Sequence, residues 1–355
     1  MAIALAHLQT GHPGTEHCKP VGFTWADHVE KLSERDFKLR YRMDSDSFYE
    51  LLDILKPGLE GNEKKRSQAR CGVPIELETR LAAALRFFAG GSYLDITLIY
   101  DISEYTFWQG CVWPVVDAIN TYLNNVNFPI NDPAALAELE ADFRAGTRGD
   151  FWRGQVGAID GVHFKMKCPT AKEVKDPQRY HISRKDMYAL LGVAICDYHR
   201  RFTWFDITHA SCTHDSTAFS ATALGQDVVS GKLPYPYFLN GDAAFTLGPH
   251  MIIPSNNDPN LDDFDFYQSS NRMAIECAFG ILVRRWGVLW RSLSVKFNRR
   301  APLVGALMRL HNFCIDRRLM ADSDMPDVQS SYAQVQRCSP VGTFVPRDST
   351  RMGGR

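Results

Sequence analysis

Three acidic residues stand in sequence contexts that suit a metal-dependent nuclease. Asp160 ends the apolar run Gly-Ala-Ile-Asp, and Asp242 follows the apolar run that leads into Asn-Gly-Asp. Glu276 lies on a segment with helical periodicity. Carboxylates from three distant chain positions can hold two divalent cations, which activate water and stabilise the leaving oxygen of a phosphodiester. The pattern therefore predicts Asp160, Asp242 and Glu276 as catalytic residues and metal ligands.

The order of these motifs resembles a known family. Asp-Gly is followed by Gly-Asp and then by Glu-Cys-Ala-Phe-Gly with a basic stretch behind it. An Asp-Gly pair alone is usually a turn, so the prediction depends on the combination. From about Asp44 to about Leu319 the chain resembles the PIF/Harbinger transposases. The resemblance implies an RNase H-like DDE domain that binds two Mg²⁺ or Mn²⁺ ions, cleaves DNA and joins the freed 3′-OH to target DNA.

The same resemblance implies the partners and the location of the protein. Double-stranded DNA is the expected substrate, a separate Myb-like DNA-binding protein is the expected partner, and a homo-oligomer is left open. We expect the protein in the nucleus, alone or imported with a partner, and otherwise in the cytoplasm. Two alternative functions remain. One is a host-adopted DNA-binding or scaffold protein without activity, and the other is a metal-dependent phosphoesterase acting on RNA or small phosphates.

Asp215 is a fourth acidic candidate, in the sequence His-Asp-Ser. This element resembles one that the family carries between its first two acids. The Asp215 carboxylate is either an additional metal ligand or the N-cap of the helix that follows, because Asp accepts backbone N–H bonds well at that position. We favour the cap. A serine-hydrolase elbow, a P-loop and a dinucleotide-binding glycine pattern are absent from the sequence, so no nucleotide cofactor is expected.

A sheet and a helix have to position these acids. The sequence predicts a short strand over 156–159 that delivers Asp160, with 163–166 returning as its hairpin partner. Further predictions are strands over 188–196, 202–207 and 237–239 and a helix over 215–224. Glu276 is placed on a helix over 270–285, whose apolar residues recur at helical spacing. The alternative role for Glu276 is a salt bridge to Arg272, four residues earlier.

The N-terminal half is predicted to be helical and resembles the helix-turn-helix that precedes the catalytic domain in the family. Helices are expected after Ser45, over 75–89, through Tyr100 and after Ser103, with Pro114 kinking or ending the last one. Residues 87–143 contain eight acids and no Lys or Arg. Without cations this segment lacks the main source of affinity for DNA. We therefore predict that it packs against the catalytic domain or a partner.

Two basic segments flank the predicted site. Nine basic residues face four acids over 165–201, and ten face two over 272–318. Such segments suit a phosphate backbone that must be held close to metal. The predicted DNA contacts are Lys165, Lys167, Arg184, Lys185, Arg284, Arg285, Arg299 and Arg300.

Composition sets only broad bounds. The chain is 45% hydrophobic and 23% charged, with a net charge of −1 and nine cysteines without a Cys-x-x-Cys pair. These values are ordinary for a globular protein and speak against a zinc finger or a disulfide framework. No apolar run approaches the roughly 20 residues that span a membrane, and no signal-peptide core is visible, so no membrane association is expected.

Four segments are predicted along the chain. They are an arm over 1–40, an all-α helix-turn-helix-like domain over 41–145, an α/β RNase H-like nuclease domain over 150–320 and a disordered tail over 321–355. Lys64-Lys65-Arg66 is a weak candidate for nuclear import.

Overall fold

The computed structural model describes residues 23–60, 75–146, 152–255 and 259–319. The predicted tail and the candidate nuclear-import segment lie outside these ranges. The first described part is helical, with α1 (Trp25–Glu30), α2 (Glu34–Tyr41), α3 (Ser45–Glu60), α4 (Leu77–Phe88) and α5 (Tyr93–Ile99). The helices predicted over 75–89 and through Tyr100 are therefore present. The predicted loose arm is wrong for residues 25–40, because Trp25 and Phe37 are buried and pack around Phe48.

One continuous helical run passes through the predicted break at Pro114. Ser103 caps α6 (Glu104–Thr106), which continues through a π-helical turn over Phe107–Val112 into α7 (Trp113–Tyr122). In that turn the Trp113 N–H donates to the Trp108 carbonyl, five residues earlier. Pro114 thus falls in the first turn of α7, where a missing N–H costs little, and the prediction that the helix ends there is wrong.

The packing predicted for this helical run agrees with its burial. Phe107, Cys111 and Val112 are fully buried, and Trp113 is nearly so. Phe107 and Trp108 also pack against Phe87 at the end of α4. A last helix of this region, α8 (Pro133–Ala145), is capped by Asp132 and leads towards the sheet.

One mixed sheet of six strands occupies the centre of the described chain. Its strands are β1 (Gln155–Met166), β2 (His181–Ile182), β3 (Met187–Cys196), β4 (Phe202–Ala210), β5 (Phe238–Asn240) and β6 (Met251–Ile252). β3 pairs antiparallel with β1, β2 and β4. β5 runs parallel to β1, and β6 runs parallel to β5. Apart from β2, which pairs with the start of β3, the strands therefore lie in the order β4-β3-β1-β5-β6.

The first strand differs from its prediction. β1 does not turn at Gly161 but continues for twelve residues, paired with β3 from Ala158 to Met166. The hairpin prediction is wrong because apolar alternation carries on past the glycine. Val162 and Phe164 are both buried on the same side as Ala158. Turn propensity at one glycine is weaker than a strand paired along its length.

Helices cover both faces of the sheet. They are α9 (Asp215–Ser220), α10 (Ala223–Val229), α11 (Asp262–Arg285) and α12 (Phe297–Asp316). The predicted helix over 215–224 is broken near Thr222, and α11 begins eight residues before its prediction. One hydrophobic cluster joins a face of the sheet to α11, α12 and the N-terminal helices. A smaller cluster fills the other face with α8, α9 and α10.

Within the described ranges, none of these helices combines the length and the apolar character that a membrane crossing requires.

Candidate active site

Neighbouring parallel strands bring the first two acids together. Gly157 pairs with Leu239 and Ala158 pairs with Asn240, so continuing both strands by two residues places Asp160 beside Asp242. The Asp242 carboxylate is held in its turn by the Ala244 N–H, which donates to its Oδ1 at 2.9 Å. The strand order therefore delivers two carboxylates to one edge of the sheet.

Glu276 reaches this edge from α11. Ile275, Phe279 and Leu282 of the same helix are buried in the cluster that covers the sheet. Arg272, one turn before Glu276, forms a hydrogen-bonded ion pair with its Oε1. The same Arg272 Nη1 lies 3.7 Å from Asp160 Oδ2. The salt bridge considered as the alternative role of Glu276 is thus present, and it links Glu276 to Asp160.

Asp215 approaches from the other face of the sheet. His214 occupies the N-cap of α9 without a side-chain cap bond, and Asp215 is the first helical residue, so the predicted N-cap role is wrong. The Asp215 carboxylate instead lies against Gly161. A Cβ added to Gly161 would be 2.2 Å from Asp215 Oδ2 and 2.6 Å from Oδ1. The glycine after Asp160 therefore provides the space that Asp215 fills.

The electrostatics identify these acids as one cluster. Burial raises the pKa of Asp160 well above its usual range, Asp242 raises it further, and Arg272 opposes both. Burial also raises the pKa of Asp215 to about 6, with Asp242 again adding to it. Burial raises the pKa of Glu276, although the Arg272 ion pair partly offsets this. Asp242 is thus a neighbour of the other three carboxylates, which together repel one another.

The acids do not form a ready metal cage. In the described part of the chain, no three His, Cys, Asp or Glu side chains are arranged closely enough to hold a metal ion as they stand. The pKa shifts nevertheless show that the Asp242 carboxylate is close enough to raise the pKa values of Asp160, Asp215 and Glu276. Both observations are consistent with the ion pair, because the Arg272 guanidinium contacts two of the acids.

A polar clamp that sequence reasoning missed fixes the second acid relative to the third. Gln268 of α11 donates through Nε2 to Asn240 Oδ1 at 2.8 Å and to the Gly241 carbonyl at 2.7 Å. Asn240 Nδ2 donates back to the Gln268 carbonyl at 2.9 Å. Both amides are at most 1% exposed. They tie the end of β5, just before Asp242, to the helix that carries Glu276. The sequence signal for this clamp is the position of Asn240, a polar residue directly after the apolar strand predicted over 237–239.

Three of the predicted DNA contacts lie inside the protein. Arg284, Arg285 and Arg300 are 7%, 4% and 3% exposed. Arg285 donates to the Arg42 carbonyl at 3.0 Å, and Arg300 donates to the Val295 carbonyl at the same distance. Their prediction as DNA contacts is wrong, because counting charges along the chain does not distinguish a buried guanidinium from an exposed one.

Arg299 is largely occupied at the surface. Its Nη1 lies 2.8 Å from Asp117 Oδ1, and its guanidinium lies over the Trp113 ring at 5.2 Å. It joins α12 to α7 and is therefore part of the packing between the two halves of the fold.

The other four predicted DNA contacts are not buried. Lys165, Lys167 and Arg184 are exposed, and Lys185 is half-buried. By strand alternation Lys165 is on the same face of β1 as Gly161, about 13 Å further along. Burial, with smaller contributions from Lys185 and Arg184, lowers the pKa of His163 to about 4. Both cations are therefore close to His163, which lies between Gly161 and Lys165.

We expect the substitution Gly161→Ala to destabilise the protein through the Asp215 carboxylate. The new methyl group would overlap it, and such overpacking typically costs about 1–3 kcal/mol. Asp215→Ala removes the overlap, so Gly161→Ala should cost little in that background. Urea denaturation of the four proteins of this double-mutant cycle measures the effect. An equal cost of Gly161→Ala in both backgrounds would show that the two residues are not in contact.

Comparisons with known proteins found one family model and one curated relative that match the chain. Residues 159–312 match the family model described as DDE superfamily endonuclease, and this range contains all four acids. The rat protein named "Putative nuclease HARBI1" is 27% identical over 210 residues. That match covers 58% of this chain and 55% of the rat protein, so the chain spans about half the length of this relative. No solved structure matches the chain.

The family model and the rat relative confirm the resemblance seen in the sequence. Residues 159–312 are thus similar to the DDE superfamily endonucleases, and the chain is similar over about half its length to a Harbinger transposase-derived protein.

Proposed function

We propose that this protein is a divalent-cation-dependent endonuclease of Harbinger type that cleaves double-stranded DNA. The observation that carries the proposal is the convergence of Asp160, Asp242 and Glu276 from two parallel strands and one helix. The sheet order supports an RNase H-like domain, because three antiparallel strands are followed by strands that run parallel to the first. The match to the endonuclease family model supports the same reaction class.

The donor set fits Mg²⁺ or Mn²⁺. Four carboxylates lie near one guanidinium, which leaves an excess of negative charge. Hard divalent cations prefer carboxylate oxygens as ligands. Asp160, Asp242 and Glu276 would hold the ions, with Asp215 as an additional ligand beside Asp242. When bound, two such ions supply the activation of the attacking water and the stabilisation of the leaving oxygen.

The chain itself contributes the placement of substrate and ligands. The Gln268 clamp fixes Asp242 against α11, so the separation of Asp242 and Glu276 does not depend on a mobile loop. Lys165 near the end of β1 and Lys167 just after it are exposed, and both can hold phosphates of the DNA backbone. The site thus joins an anionic centre to a cationic path, as a phosphodiester substrate requires.

We expect the double substitution Lys165→Glu and Lys167→Glu to weaken binding to all duplex DNA sequences alike. Loss of two phosphate contacts should reduce the slope of log affinity against log salt by about 2. Fluorescence anisotropy at several salt concentrations measures this. Lys56→Glu, on the exposed side of α3, is the control for altered charge away from the acids. A full salt slope in the double variant would remove these lysines from the DNA path.

A nicking assay tests the proposed function against its two alternatives. Purified protein should convert supercoiled duplex DNA to the nicked form with Mg²⁺ or Mn²⁺ and not with EDTA. A scaffold protein would bind DNA without nicking it under any condition. A phosphoesterase of the other class would hydrolyse RNA or p-nitrophenyl phosphate and leave duplex DNA intact. Either of these results would overturn the proposal.

Joining of the freed 3′-OH to target DNA, action in the nucleus and recognition of DNA ends by a Myb-like partner are further parts of the proposal. They rest on the resemblance to the family. The lack of cations over 87–143 supports a partner, since Leu98 and Tyr105 in this segment are 82% and 77% exposed. These side chains could contact another protein more readily than phosphates.

A further inference from the structure

Arg272 contacts two acids of the site with a single nitrogen. Its Nη1 pairs with Glu276 Oε1 and lies 3.7 Å from Asp160 Oδ2. The side chain is only 13% exposed, and its Nε is buried without a hydrogen-bond partner among the described residues. A guanidinium offers five N–H donors in a planar fork, so this one is incompletely satisfied where it lies.

The charge around Arg272 is unbalanced. Four carboxylates surround the site, and Arg272 is the cation that lowers the pKa of both Asp160 and Glu276. The pKa of each of these acids is raised despite that contact. The guanidinium therefore compensates part of the negative charge and leaves the remainder for another cation.

We propose that Arg272 is the built-in counter-cation of the metal-free site, which holds Asp160 and Glu276 together and gives up Asp160 when a divalent cation binds. The inference rests on the proposed function in one respect, that these acids are cation ligands. Asp160 is the partner released because its contact is the longer one, whereas Glu276 is hydrogen-bonded and shares a helix with Arg272. The guanidinium and the incoming cation then compete for the same oxygens.

This competition predicts two changes of opposite sign when the positive charge of Arg272 is removed. The affinity for a divalent cation should increase, because a competing and repelling charge is lost. The metal-free protein should melt at a lower temperature, because two buried carboxylates lose their shared partner. An arginine that merely oriented Glu276 as a ligand would give the opposite result for affinity, since its removal would loosen the ligand.

The test is calorimetric titration of the full chain with Mn²⁺ at one pH, together with melting curves in EDTA. Arg272→Met keeps the length of the side chain without its charge. It should bind Mn²⁺ about tenfold more tightly than the wild type and melt lower in EDTA. Arg40→Met is the matched control, because Arg40 forms the same type of ion pair with Asp36 one turn away on α2. It should leave the Mn²⁺ affinity unchanged.

Arg272→Lys covers the case in which Arg272→Met does not fold. The lysine side chain is shorter than that of arginine, so its ammonium should hold Glu276 one turn away, lose the longer contact to Asp160 and leave Mn²⁺ binding a few-fold tighter than in the wild type. Wild-type binding that neither variant exceeds would overturn this inference and leave the proposed function standing. Absence of Mn²⁺ binding by the wild type and the variants alike would overturn both.

Discussion

Replacing Asp160 with asparagine is expected to abolish cation-dependent DNA cleavage and, at the same time, to stabilise the metal-free protein. The loss of activity follows from the removal of a hard, charged oxygen ligand and should reach at least ~10³-fold. The gain in stability follows from the pKa of Asp160, which burial and Asp242 raise well above its usual range. An ionised Asp160 at neutral pH therefore costs folding free energy, and a neutral amide of the same shape avoids it.

The two effects are measured on the same protein preparations. A nicking assay with Mn²⁺ gives the activity, and urea denaturation in EDTA gives the free energy of unfolding, which should rise. Asp53→Asn, on the exposed side of α3, is a control that should change neither quantity. Near-native cleavage by Asp160→Asn would remove the residue from the site. If metal-free Asp160→Asn were less stable than the wild type, the main role of Asp160 would be its ion pair with Arg272.

The sequence predicted the parts of the site that depend on local pattern. Asp160 and Asp242 each follow an apolar run, and apolar runs of that length form neighbouring strands whose ends meet at one edge of a sheet. The helix of Glu276 was equally accessible, since its apolar residues recur at helical spacing. These elements are recognisable because the periodicity of a few consecutive residues determines which face is buried.

The sequence did not predict the parts that depend on distant contacts. Gly161 was interpreted as a turn, whereas it continues β1 because the strand is paired with β3 from Ala158 to Met166, and its lack of a side chain leaves room for the Asp215 carboxylate. Asp215 was interpreted as a helix cap because a capping pattern is a local feature of the sequence. The contact of its carboxylate with Gly161 of β1 joins residues that are distant in the chain. Local propensity describes what a segment can form alone, and pairing over many residues overrides it.

The arginines show the same limit for charge. Arg285 and Arg300 lie in a basic segment and were predicted to contact DNA, yet both are buried and donate to backbone carbonyls. A guanidinium can satisfy carbonyls inside a fold as well as phosphates outside it. Only burial, which tertiary packing determines, separates the two roles. Lys165 and Lys167 are exposed, so their prediction as DNA contacts stays a prediction.

Replacing Asp215 with asparagine is expected to remove a pH-dependent penalty from the stability of the metal-free protein. Burial, with a contribution from Asp242, raises the pKa of Asp215 from 3.8 to about 6. Because the folded pKa is the higher one, the folded protein keeps a proton that the unfolded chain releases between these values. The stability that this proton provides is complete below about pH 4 and is lost as the pH rises through about 6.

The wild type should therefore lose stability relative to Asp215→Asn between pH 4 and pH 7, by roughly 2 kcal/mol in total. His163 and His311 act in the opposite direction, since burial lowers their pKa values to about 4 and about 3. They are present in both proteins and cancel in the difference. Urea denaturation in EDTA at several pH values measures that difference. A difference that stays constant with pH would show that Asp215 is not the buried acid that the geometry indicates.

The same variant also decides what Asp215 does for cleavage. If Asp215 is an additional cation ligand, the amide should reduce Mn²⁺-dependent nicking by at least about tenfold, because a neutral amide is a poor ligand for a hard cation. The gain in metal-free stability at pH 7 excludes misfolding as the cause of that loss. Full activity combined with the pH-dependent gain in stability would place Asp215 beside the site without a contact to the cation, and would contradict its role as a ligand.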